Sequence, residues 1–222
     1  MFMKKNVLGL AVAMGLVSTS SVFADESVDL AVVGVISPAS CDIDLSAYAV
    51  DLGTISVKNL ADTGVTTLAP QTVGVTVSCT GDVRFALSAV DNAAGSASVS
   101  DTDAFGMGKT ATSQEIGYYK LRFNAGTLLG TVDGAGAAAV ITLASNDRNN
   151  WTAAPADGVG PAIPHALDTY LGFADTGTTD VKALKDFSGT LQVEAFITDK
   201  ADLTLTSDVD IDGAATLELH YL

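Results

Sequence analysis

Thr72–Cys79, TVGVTVSC, alternates without a break: Val73, Val75, Val77 and Cys79 fall on one face, with Thr72, Thr76 and Ser78 on the other. A spacing of two is the period of a β-strand that keeps one face in a core and the other in water. Its neighbours repeat the pattern. Val83, Phe85, Leu87 and Ala89 form the next inward row, and Gly81-Asp82 between the two runs predicts a tight hairpin. Leu52, Ile55 and Val57 suggest a short strand interrupted at Gly53. Further strands are expected at Ile116–Phe123, Ala139–Leu143, Tyr170–Phe173 and Leu191–Ile197, with a shorter one at Leu203 and Leu205. The chain finishes on Ala215, Leu217, Leu219 and Tyr221, alternating with Thr216, Glu218 and His220. No stretch keeps a convincing helical period and no fixed-period repeat is visible. Many short strands with turn signals between them predict an all-β sandwich or barrel. Residues 92–114 and 145–166 lose all periodicity and are expected to be long exposed loops of the same domain.

The start of the chain reads differently. Lys4 and Lys5 precede an apolar run, Val7–Val17, too short to span a bilayer, and Val22-Phe23-Ala24 suits a cleavage site. Residues 1–24 are therefore expected to be a secretory signal peptide. The full chain carries 11 Lys+Arg against 26 Asp+Glu, a net charge of −15. Removing Lys4 and Lys5 with the leader leaves 9 − 26 = −17. Such a surface repels nucleic acid and anionic membranes, so neither nucleic-acid binding nor direct membrane insertion is expected. The apolar fraction of 48% and its alternation argue against disorder. In an exported chain the two cysteines, Cys41 and Cys79, are expected to pair. The loop of about forty residues that they close would contribute about 4 kcal/mol by the chain-entropy argument.

Between leader and first cysteine lies Val28–Cys41, VDLAVVGVISPASC. Val28, Leu30, Val32, Gly34 and Ile36 share one face at strand spacing. As an ordinary first strand this row would pair within its own domain. At the other end, an alternating strand closes the sequence with nothing after it, and the free edge of such a strand is a hazard unless it is paired.

These two ends together resemble the pilin family, the subunits of chaperone–usher fimbriae. The features that carry the resemblance are Gly34 seven positions before Cys41, the Pro38-Ala39-Ser40-Cys41 approach, Cys79 as the second cysteine, and Tyr221 next to last. Residues 92–188 carry no pilin motif, and Gly213 departs from the family's usual glycine position. The resemblance implies an incomplete immunoglobulin-like sandwich, residues 38–222, completed by donor-strand exchange. Residues 25–37 would be the donor extension, with Val28, Leu30, Val32, Gly34 and Ile36 as the inserted row. Leu217, Leu219, Tyr221 and Leu222 would form the strand beside the groove that a periplasmic chaperone occupies first. The implied partners are other copies or other fimbrial subunits, the chaperone and an outer-membrane usher. The chain would travel through the periplasm to the cell surface. Strand addition of this kind takes affinity from main-chain hydrogen bonds and specificity from alternate side chains.

No chemistry competes for the central role. Asp208, Asp210, Asp212 and Gly213 spell the opening of a calcium loop, but position twelve is Leu219 rather than Glu, and Val209 and Ile211 interleave as strand residues do. Gly108-Lys109-Thr110 ends like a phosphate loop whose first glycine would be Asp103. His165 and His220 are the only histidines and assemble no metal set. No G-x-S-x-G elbow occurs. A non-enzymatic protein without cofactors is expected: a structural fimbrial subunit supporting cell adhesion. The alternative is a minor or tip-proximal adhesive subunit binding a glycan through loops 92–114 and 145–166. Trp151, the only tryptophan, could stack on a sugar there, but the more ordinary role for such a residue is to pin its loop to the core.

Overall fold

A computed structural model describes residues 31–33, 39–154 and 159–222. The expected leader and Val28, Leu30, Gly34 and Ile36 of the expected donor row lie outside the described residues, whereas Val32 is described and exposed. The architecture that follows is that of the unit 38–222.

The fold is an all-β sandwich of two antiparallel sheets. Its strands are β1 (Cys41–Leu45), β2 (Thr66–Thr67), β3 (Gln71–Val83), β4 (Phe85–Asp91), β5 (Phe105–Gly106), β6 (Gly117–Phe123) and β7 (Leu129–Thr131), followed by β8 (Ala138–Ala139), β9 (Ile141–Ser145), β10 (Thr152–Ala153), β11 (Tyr170–Ala174), β12 (Leu184–Ile197) and β13 (Ala215–Tyr221). The first sheet has the order β1-β3-β12-β6-β5, with β2 and the β7–β8 pair also joined to it. The second runs β10-β9-β11-β4-β13. Four phenylalanines join the sheets: Phe123 and Phe187 from the first meet Phe85 and Phe173 from the second. Ring centroids lie 4.0 Å apart for Phe173–Phe187 and 5.7 Å for Phe85–Phe173. All four are buried, and offset or edge contacts of this kind hold aromatic pairs beyond their burial alone.

The inward row of Thr72–Cys79 is observed: Val73, Val75, Val77 and Cys79 are all buried on β3. Four local expectations are corrected. Gly81-Asp82 makes no hairpin. β3 runs on to Val83, which pairs with Leu184 of β12, and at Arg84 the chain crosses to the second sheet, where β4 pairs with β11 and β13. The turn signal is local, whereas the choice of sheet is set by which apolar face the next run covers. Leu52, Ile55 and Val57 belong to no strand: the chain there is irregular, with Gly53 at φ +69° and a 3-10 turn at Val57–Asn59. Leu203 and Leu205 likewise belong to no strand, although both are half-buried. Neither expected loop is wholly exposed: in 92–114 Ala104, Phe105, Met107 and Thr110 are buried and Phe105-Gly106 pairs with β6, and in 145–166 Ser145 and Ile163 are buried, with Ile163 N–H on Leu121 C=O at 2.8 Å.

Candidate functional site

The two sheets each end on an exposed edge at the same side of the sandwich. β1 pairs with β3 alone, and β13 with β4 alone, among the described residues. Behind them the inward rows of β3 and β4 are buried, but the inward residues of the edge strands, Ile43 and Leu45 on one and Leu217 and Leu219 on the other, are only half-buried.

The hydrogen-bond register says which backbone groups these edges leave over. Ser46 N–H donates to Gly74 C=O at 2.8 Å and Thr80 N–H to Ser40 C=O at 2.9 Å. Even-numbered residues of β1 therefore exchange bonds with β3. On β13, Asn92 N–H donates to Ala214 C=O at 2.9 Å and Leu222 N–H to Arg84 C=O at 3.0 Å. Even positions again face the partner strand. In an antiparallel ladder the intervening residues turn N–H and C=O the other way. The peptide groups of Ala215, Leu217, Leu219 and Tyr221 thus point along the free edge of β13, while Ala215, Leu217 and Leu219 turn their side chains inward.

Between the edges lies an open groove of about 750 Å³. Val73, Tyr119, Leu121, Leu191 and Ala195 contribute its buried floor, and Leu45, Ala215 and Leu217 its walls. Two irregular strips of chain border it, residues 47–60 after β1 and 203–214 before β13. Leu52, Ile55 and Leu60 from one strip, and Leu203, Val209 and Ile211 from the other, pack half-buried against the core. Lys200 fastens the strips at one end, its N–H on Ala61 C=O at 3.0 Å and its ammonium on Asp62 at 3.2 Å. Tyr48, on the first strip, donates to Asp44, and that bond raises the phenol above its ordinary value. In the floor, burial first and Asp91 second push the Tyr119 phenol up, so it stays neutral. Gly213 fits against its ring, where an added Cβ would come within 2.8 Å of Tyr119 Cε1.

The structure places the expected site residues unevenly. Cys41 and Cys79 form the disulfide, across a pair whose Cα atoms are 4.0 Å apart. That close spacing belongs to the non-hydrogen-bonded positions of a ladder, as the register requires. Leu217 lines the groove. Leu219 packs on the core higher up the strand, and Tyr221 closes that end by accepting a hydrogen bond from Cys41 N–H at 2.8 Å. Leu222 extends the pairing of β13 with its N–H on Arg84 C=O at 3.0 Å, and its side chain is exposed. Sequence reasoning missed the floor residues Tyr119, Leu121 and Leu191. Their alternation marks them as inward, and nothing local distinguishes an inward residue under an open groove from one in a closed core.

The other candidates have structural surroundings of their own. Asp208, Asp210 and Asp212 are exposed at alternate positions of the second strip, and no three metal-binding side chains come together among the described residues. His220 turns away from the groove, with Nε2 2.8 Å from Ser88 Oγ and its ring edge-on to Tyr170. His165 packs against the Phe105 ring. Trp151 lies against Gly172 and packs on Leu143, Ala174 and Val181, with its indole N–H on Arg148 C=O at 3.2 Å. Its ring is committed to the second sheet and serves as a pin.

Residues 30–104 are similar to a family described as protein of unknown function, DUF1120. The matched stretch includes β1, both cysteines, β3 and β4. No curated protein matches the chain.

Proposed function

We propose that this chain is a structural subunit of a chaperone–usher fimbria, whose groove receives a strand from a neighbouring molecule. In this reading residues 1–24 direct export, residues 25–37 are the donor extension, and the folded body is an immunoglobulin-like sandwich that lacks one strand. A periplasmic chaperone fills the groove before assembly, an outer-membrane usher carries the chain outward, and the product is a surface fibre that supports adhesion.

The observation that carries the proposal is the free edge of β13. Its outward peptide groups and inward apolar row stand beside an apolar groove with a second free edge, β1, across from it. A strand laid there would satisfy backbone groups and cover half-buried side chains in one step. Val28, Leu30, Val32 and Ile36 supply apolar side chains at the required spacing of two, and Gly34 allows a close backbone approach. Four such side chains, once buried, would contribute on the order of 6–12 kcal/mol before ordering costs.

The test is deletion of Val28–Ile36 in a strain that carries the assembly machinery. The expected result is loss of SDS-resistant multimers while the subunit itself still folds. Multimers that form unchanged without the segment would remove the donor-strand reading.

A further inference from the structure

We infer that the groove is built for a strand from a different polypeptide, one whose outward face is basic, and that the chain's own residues 25–37 are seated in a less acidic host. The inference rests on the reading above, that the groove receives a strand, and adds the chemistry of its occupant.

The charged residues among those lining the groove are Asp51, Asp208 and Asp210, and none is Lys, Arg or His. All three are exposed. Asp51 accepts a hydrogen bond from Gly53 N–H at 2.7 Å, within its own strip. Asp51 lies on the strip that follows β1, and Asp208 and Asp210 on the strip that precedes β13, so both sides of the mouth carry carboxylates. Lys58 is the single cation in the sequence of the two strips, where Asp212 adds a fourth acid.

An extended strand in the groove would turn every second side chain to solvent between those two sides. With Val28, Leu30 and Val32 facing in, the chain's own segment would present Asp25 and Asp29 outward, with Glu26 at the entrance. It holds no Lys or Arg between residues 25 and 37. Like charges across neighbouring strands weaken pairing and opposite charges favour it. At physiological ionic strength such charges act over about 8 Å, the scale of a strand and its immediate neighbours. A self-complementary polymer would therefore place acid against acid at every junction. A strand carrying lysine or arginine on its outward face removes that conflict. The chain is accordingly suited to a junction between two kinds of subunit rather than to repetition along a homopolymer.

The experiment measures binding of three labelled peptides to the full chain. All keep the sequence of residues 25–37. One is unaltered, one carries Asp25→Asn, Glu26→Gln and Asp29→Asn, and one carries Lys at the same three positions. At low salt the lysine peptide is expected to bind about tenfold more tightly than the unaltered one, with the neutral peptide between them and the differences shrinking at high salt. In the chain carrying Asp51→Asn, Asp208→Asn and Asp210→Asn the order should collapse. Binding of the unaltered peptide as tight as that of the lysine peptide at low salt would overturn the inference and leave the strand-accepting groove standing. A preference that survives the triple substitution would assign it to the chain's overall negative charge and also overturn the inference. Failure of all three peptides to bind under any salt condition would bring down the groove reading itself, and this inference with it.

Discussion

Tyr221 and Cys41 join the two free edges of the sandwich. The Cys41 amide points away from β3, on the side where β1 has no ladder partner among the described residues, and donates to the Tyr221 phenolic oxygen at 2.8 Å. The bond links the last residue of β13 to the first residue of β1, at the end where the disulfide also closes. At the opposite end, near Leu45 and Ala215, no comparable bond spans the edges among the described residues, and there the groove opens.

Tyr221→Phe keeps the ring and removes this bond. Unfolding free energy in urea should fall by about 0.5–1.5 kcal/mol, the usual net worth of one such hydrogen bond. An unchanged midpoint would mean that water replaces the phenol at no cost and that the edges are held by the disulfide alone.

Gly172 is matched to Trp151. A Cβ at this position would come within 2.8 Å of Val181 Cγ2 and 2.9 Å of Trp151 Cζ3. Gly172→Ala should therefore cost about 1–3 kcal/mol through overpacking. Because Trp151 is the only tryptophan, its fluorescence emission should shift to the red as the ring is pushed outward. Native stability with native emission would show that the pin is looser than its contacts imply.

Asp147 organises the turn before Trp151. Its carboxylate accepts hydrogen bonds from Asn150 N–H at 2.8 Å and Asn150 Nδ2 at 2.7 Å, from Asn149 N–H at 2.9 Å, and from Ser145 Oγ at 3.0 Å. The Asn150 amide leads in holding it well below the ordinary carboxylate range. A depressed carboxylate contributes stability that is present above its unfolded value, about 3.9, and is lost as pH falls through its folded value. Asp147→Ala should thus lower the thermal midpoint at neutral pH. The gap between variant and native protein should narrow progressively in acid, and a gap independent of pH would contradict the assignment.

The fold class was legible because edge and next-to-edge strands keep a clean period of two, as Val73–Cys79 and Ala215–Tyr221 do. β11 was legible only as a short run. All five of its residues are buried, because Trp151 and Val181 cover the second sheet near Gly172 while the core covers the other face, and no alternation survives. Leu52, Ile55, Leu203 and Leu205 carry a strand-like pattern because their side chains are half-buried, whereas Val57 is exposed. Their backbones have no ladder because they border the groove rather than a neighbouring strand. The groove could not be read locally at all: it lies between two strand edges that have no partner among the described residues, and only the pairing of β1 and β13 reveals them. The family-level expectation draws attention to both ends of the chain; of its C-terminal residues Leu217 lines the groove, Leu219 packs on the core beside it, and Tyr221 bonds across to Cys41.

The central claim is that the free edge of β13 accepts a strand, and amide hydrogen exchange resolved by residue tests it most directly. At high salt, a saturating peptide of residues 25–37 should slow exchange at Leu217 and Leu219, whose N–H groups face the open edge. Thr216 and Glu218, already bonded to β4, should change little. Protection that follows this alternation is the result the account predicts. Unchanged exchange at Leu217 and Leu219 with the peptide bound, or equal protection of odd and even positions, would contradict it.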